Sequence, residues 1–184
     1  MASFPYNRIE LKFILLFIVA AYVSYLFHEF GHWIVGEMLG NEMAYSLNYV
    51  WPKNGHYGSA SHDLYVILGG PAFSVLQSIV GLLIIEKYKS FYAYPFVFFP
   101  MFTRFFSLAF GGFSKQDEAK ISVSLGVGTY TVAIVVLLIL VIIVMRCSYN
   151  LKIGFKKNGY ILTLGTLCQL LVIGTYELMS KLKM

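Results

Sequence analysis

Five long apolar stretches, separated by short polar ones, run through the chain at 11–39, 64–85, 92–112, 121–145 and 159–180. Each has or approaches the about 20 mainly apolar residues that a helix needs to cross a bilayer. The fourth is the cleanest, running from Ile121 to Met145 without a charged residue. The third is interrupted by Pro95, Pro100 and Arg104, and reads as a kinked span or a re-entrant segment buried in protein. The first is too long for a signal-peptide core and has no small-residue cleavage site behind it, so it is expected to stay in the mature protein. The pattern predicts an all-α polytopic membrane protein with about five transmembrane helices. It forms one integral-membrane domain over 1–184, with 159–180 as an additional helix beyond a core at 11–145. The longest polar stretch, 40–63, carries Gly55, Tyr57 and Gly58 and is expected to form a short hairpin or a re-entrant segment.

Composition agrees. Of 184 residues, 58% are hydrophobic and only 12% charged, against roughly 25% charged in an average soluble domain. Aromatics at 17% exclude disorder, which needs few of them and high net charge. The net charge of +5 comes from Lys and Arg scattered singly between apolar runs, not gathered on one face, so no nucleic-acid partner is expected. Cys147 and Cys168 sit after and within apolar runs and give no disulfide framework.

Five crossings fix which segments share a side. Arg8, Lys12, Lys87, Lys89, Arg146, Lys152, Lys156 and Lys157 fall on one side, and Lys53, Lys115, Lys120, Lys181 and Lys183 on the other. The positive-inside rule then predicts a cytoplasmic N-terminus; the cell membrane of a bacterium is the expected location.

Within the first span stands His28-Glu29-Phe30-Gly31-His32. Histidines at i and i+4 share one helix face, about 6 Å apart along the axis. That spacing lets two imidazoles hold one metal ion while the intervening Glu29 faces a bound water. Zn2+ suits such a set, because two imidazoles, a carboxylate and an open position make a catalytic site. The metal lowers the water's pKa, and Glu29 accepts its proton and passes it to a leaving amine. Each ionisable group within a bilayer costs on the order of 2.5–3.5 kcal/mol, and three within five residues need a reason to be there.

A HEFGH motif in a transmembrane helix, with Gly69-Gly70-Pro71 opening a later span, resembles the site-2-protease-like intramembrane zinc metalloproteases. The resemblance spans roughly 11–145, and HEFGH is its sharp match. It implies a three-helix core with HExxH on the first helix and an Asp ligand on the third. It also implies an enzyme that hydrolyses a peptide bond of a membrane-anchored protein in or near the lipid bilayer.

His28 lies seventeen residues into the first span, roughly 26 Å along it, near the side opposite the N-terminus. Glu86 falls on the wrong side and Glu37 points off the histidine face. Asp117 and Glu118 stand just before the fourth span, on the right side. The resemblance implies Asp117 as the third ligand beside His28 and His32, with Glu118 as the alternative. Ser114 and Asp117 also have the spacing of a helix-capping pair. The family's Asp-Gly is absent here, and Ser74 stands where the family has Asn, with Gln77 one turn later. Ser74 and Gln77 are candidate oxyanion donors, and Gly69, Gly70 and Pro71 are candidate substrate-binding backbone. Arg104 is read as a partner for Asp117 or Glu118, or as a stabiliser of the tetrahedral intermediate. His56 and His62, in the 40–63 loop, are left out of the metal set.

The leading expectation is a zinc-dependent intramembrane endopeptidase with Glu29 as its base and the 40–63 loop gating water. The alternatives are a catalytically inactive membrane scaffold or metal sensor that keeps the HExxH site, and a membrane zinc hydrolase acting on a lipid amide.

Overall fold

Helix forms along each of the five apolar stretches, although a turn breaks the fourth. A computed structural model of the protein describes residues 11–182, so Arg8 and Lys183, counted above for orientation, lie outside the described residues. In chain order the elements are α1 (Leu11–Met38), a hairpin of β1 (Met43–Tyr45) and β2 (Val50–Pro52), α2 (Ala60–Tyr88), α3 (Tyr94–Phe110), α4 (Asp117–Ser124), α5 (Thr131–Asn150) and α6 (Phe155–Leu182). Five helical segments are long and apolar enough to cross a membrane: α1, α2, Phe91–Phe110, α5 and α6. The protein is an all-α integral membrane protein.

Side-chain distribution shows what surrounds it. Leu83, Leu138 and Ile142 point outward at 58%, 54% and 64% exposure, a surface that suits lipid tails and not water. The interior is aromatic: Phe13, Phe17, Tyr94, Phe98 and Phe99 pack with Ile85 among α1, α2 and α3. At the end away from the hairpin, the Arg146 Nε donates to Glu86 Oε1 over 3.1 Å, which keeps Glu86 far from the histidines, as parity requires.

Three expectations are corrected. The fourth apolar run is not one helix. α4 stops at Ser124, the chain turns, and α5 begins at Thr131. The cause is local, since Gly126 and Gly128 take φ of +66° and +88°, a left-handed backbone that only glycine adopts cheaply. Ser122 Oγ then accepts from the Val132 N–H at 3.0 Å, satisfying one open donor of the new helix. Next, Gly69-Gly70-Pro71 does not open α2, which starts at Ala60 and carries Pro71 inside it. Pro71 cannot donate to the Ile67 carbonyl one turn back, a defect that packed membrane helices tolerate. Finally, Ser114 caps nothing. α4 has Gln116 at its N-cap, with no side-chain capping bond.

The 40–63 stretch does form a hairpin, with Met43 opposite Pro52 and Tyr45 opposite Val50. It is tied to the end of α1, where Glu37 Oε1 accepts from the Met43 N–H at 2.9 Å. Asn41 Nδ2 donates to the Gly36 carbonyl at 3.1 Å, and its Oδ1 accepts from the Gly58 N–H at 2.8 Å. Glu37 and Asn41 therefore hold the loop over the end of the bundle where His28 and His32 lie.

Candidate metal centre

α1 and α2 meet at glycines. A Cβ on Gly31 or on Gly69 would run into the backbone of the other, so small residues let the two chains approach as closely as helices can. That contact presses the histidine face of α1 against the backbone of α2. His32 Nδ1 donates to the Val66 carbonyl over 2.7 Å, and His28 Nδ1 lies 2.9 Å from Ser74 Oγ. Each imidazole is thus held at one nitrogen, with the other turned inward. The ring centroids are 4.8 Å apart and edge-on at 89°, and the two Nε2 atoms stand 3.2 Å apart.

α4 completes the cluster from the other side. Asp117 Oδ2 lies 3.1 Å from His28 Nε2 and 3.3 Å from His32 Nε2. Three ligand atoms from two helices, distant in sequence, therefore converge within about one atomic diameter of one another. Glu29 joins the two histidines in a buried group whose ligand atoms all lie within 4.8 Å.

The chemistry of the donors suits a cation. With Nδ1 of His32 fixed as a donor to a carbonyl, the neutral ring carries its lone pair on Nε2, facing a second Nε2 and a carboxylate. Burial works against charge on Asp117, yet its bonds to His28 and His32 hold the carboxyl well below the usual carboxylate range. Positive charge is needed among these atoms, as a proton or as a metal ion. Two imidazoles with fixed outer nitrogens and one carboxylate fit a zinc ion.

No family model matches the chain, no curated protein matches its sequence, and no solved structure matches its fold. The site is therefore read from its own geometry.

That geometry distinguishes Asp117 from Glu118. Glu118 is buried at 2% exposure and turns away from the histidines, where both its carboxylate oxygens accept from Arg104 Nη1 at 3.2 Å. Arg104 Nη1 is 3.9 Å from Asp117 Oδ2, and Nη2 is 3.4 Å from His28 Nε2.

The residues expected to bind substrate have other contacts. Gly69, Gly70, Pro71 and Ser74 are all buried, and Gly69 lies in the helix crossing. A Cβ on Gly70 would strike both imidazoles, so this glycine makes room for the histidine rings. Ser74 tethers His28. Gln77 spends both amide hydrogens, on Ser24 Oγ at 2.7 Å and the Phe96 carbonyl at 2.9 Å. Gln77 is left with no spare donor, and Ser74 Oγ, which accepts from His28 Nδ1 when His28 Nε2 is the ligand atom, stands at the outer nitrogen of that ring, away from Nε2. His62 sits beside Asn41 in the loop, and neither it nor His56 is in the metal group.

A cavity of about 380 Å³ opens beside the cluster, lined by His28, Glu29, His32 and Asp117 and roofed by Tyr49 and Tyr57. Burial and the nearby Asp63 carboxylate push the Tyr57 phenol above its ordinary pKa, so it lines the roof as a neutral group. Two parts of the site were out of reach of sequence reasoning. The Val66 carbonyl that orients His32 is backbone and carries no residue signature. The Gly70 contact had a signal, a glycine pair in an apolar run, but not its partner.

Proposed function

We propose that this protein is a zinc-dependent endopeptidase that cuts a peptide bond of a membrane-anchored protein. The observation that carries this reading is the convergence of His28 Nε2, His32 Nε2 and Asp117 Oδ2 at 3.1–3.3 Å beside a buried Glu29, on a cavity inside a membrane protein. His28, His32 and Asp117 are the residues that would hold the ion. A bound zinc ion acts as a Lewis acid toward water and toward a carbonyl oxygen.

The remaining steps belong to side chains. Glu29 neighbours the ligand group and faces the same cavity, so its carboxylate is the base that takes a proton from the attacking water. It returns that proton to the amine of the departing peptide, which closes the proton balance. Val66 and Ser74 fix the two rings, so no ligand has to be reoriented when substrate arrives. The packed helices around the cavity keep bulk water out, which strengthens each electrostatic contact within. An intact helix hides its peptide bonds, so the substrate must unwind locally to enter beneath the Tyr49–Tyr57 roof.

We assign the N-terminus to the cytoplasmic side, on the majority of Lys and Arg that parity puts there. The test is a comparison of membranes carrying wild type or Glu29→Gln. New peptide termini inside apolar segments of membrane proteins should arise with wild type only, while Glu29→Gln keeps its zinc. Identical peptide patterns from the two would refute the protease reading. Released acyl chains in place of peptides would assign the site to a lipid amide.

A further inference from the structure

Peptide hydrolysis places negative charge on the former carbonyl oxygen, and a site built for it needs a donor aimed there. Of the donors expected from sequence besides Arg104, Gln77 is committed to Ser24 and the Phe96 carbonyl, and Ser74 stands at the outer nitrogen of His28, away from Nε2. Lys115 and Lys120 are exposed at the cavity rim, where water screens them. Arg104 is different. It lies on the cavity wall, is buried at 9% exposure, and brings Nη2 to 3.4 Å from His28 Nε2.

We propose that Arg104 is a catalytic residue of the reaction assigned above, its guanidinium donating to the oxyanion, with Glu118 as the positioning residue that holds it. The proposal rests on the protease reading.

The division of labour follows from the two nitrogens. Nη1 is bound by both oxygens of Glu118 at 3.2 Å, which fixes the plane of the guanidinium. Nη2 is left with the long contact to His28 Nε2 alone among the described residues, and with that lone pair on a metal ion its hydrogens would be free to donate to a carbonyl oxygen beside it. A buried cation is tolerable only when paired, and Glu118 supplies the charge that lets Arg104 stand beside a metal site. Adjacent acids on α4 thus divide between two tasks: Asp117 faces the histidines and Glu118 faces the arginine. No proton moves on Arg104, whose guanidinium stays charged throughout, so the step adds no co-reactant to the balance.

Among the hydroxyl donors on the cavity wall, Tyr25 is taken as the competitor. Its hydroxyl oxygen accepts from Gln169 Nε2, which leaves its proton to give. The experiment separates the two. Zinc-loaded wild type, Arg104→Gln, Arg104→Lys, the double variant Arg104→Gln/Glu118→Gln and Tyr25→Phe are purified in detergent. Zinc per chain is measured for each, and each is titrated with N-phosphoryl-leucyl-tryptophan, whose tetrahedral phosphoryl oxygens stand in for the oxyanion. Arg104→Gln and the double variant should keep their zinc and bind the phosphoryl dipeptide about 100-fold more weakly. Arg104→Lys should fall between them and wild type, since it keeps the charge but loses the fork. The double variant guards against a folding failure caused by leaving Glu118 buried and unpaired.

Unchanged phosphoryl binding in Arg104→Gln and in the double variant would overturn the proposal. So would loss of zinc in both, a larger loss in Tyr25→Phe, or no phosphoryl binding by zinc-loaded wild type. A wild type that takes up no zinc would overturn the protease reading itself, and is recognised before any titration.

Discussion

Gly70→Ala puts the account of the metal site under a direct steric test. A Cβ at this position would stand 2.5 Å from His32 Cε1 and 2.6 Å from His28 Cε1, where carbon atoms settle at about 3.5–4.0 Å. Both rings must therefore retreat by roughly 1 Å. Neither can turn freely, because His32 Nδ1 is bonded to the Val66 carbonyl and His28 Nδ1 to Ser74. Forcing one extra carbon into such a contact costs about 1–3 kcal/mol, which is roughly 5- to 150-fold in affinity if it falls on the ligand geometry. The assay is zinc affinity by competition with a chromogenic chelator, with helix content and thermal midpoint followed by circular dichroism. Gly174→Ala is the control, since a Cβ there meets nothing within 4 Å and adds the same methyl to a helix. Gly70→Ala should lose affinity within that range while Gly174→Ala binds like wild type. Wild-type zinc affinity in a folded Gly70→Ala would refute the idea that this glycine makes room for the ligands.

Other outcomes follow from single contacts. Ser74→Ala removes the tether on His28 and should weaken zinc about tenfold, at the lower end for loss of a partner behind a ligand; an unchanged chelator competition curve would argue that Ser74 is only packing. Gly128→Ala must place a side chain at φ +88° and should cost about 1–2 kcal/mol, read as a lower thermal midpoint with zinc stoichiometry intact. Cys147 and Cys168 are buried at 0% and 3% exposure, so a membrane-permeant maleimide should label neither until the protein is denatured; rapid labelling in the native state would contradict the packing of α5 and α6.

The apolar pattern carried the five crossings because in a bilayer apolar length is the requirement itself. It could not carry the break between α4 and α5. Leu125 and Val127 keep hydropathy high through the turn, and only the intervening Gly126 and Gly128 mark it. Pro71 misled for the opposite reason, since proline is common in a first helical turn yet here lies inside α2, eleven residues past its start at Ala60. At the site, the i and i+4 histidines with Glu29 between them were legible because helical spacing alone puts them together. Asp117 was reached through the resemblance and chain parity, and geometry separates it from Glu118. What gave no signal was the packing that makes a cluster of them, the Gly31–Gly69 approach and the Val66 carbonyl; Arg104 was legible as a partner for Asp117 or Glu118, and the geometry pairs it with Glu118.

The central claim is that His28, His32 and Asp117 hold one metal ion. Zinc content of detergent-purified protein, reconstituted at neutral pH, tests it most directly in wild type, His28→Ala and Asp117→Ala. The account predicts near one zinc per chain in wild type and loss in both variants. Zinc retained in Asp117→Ala would remove the third ligand, and wild type without zinc would contradict the account as a whole.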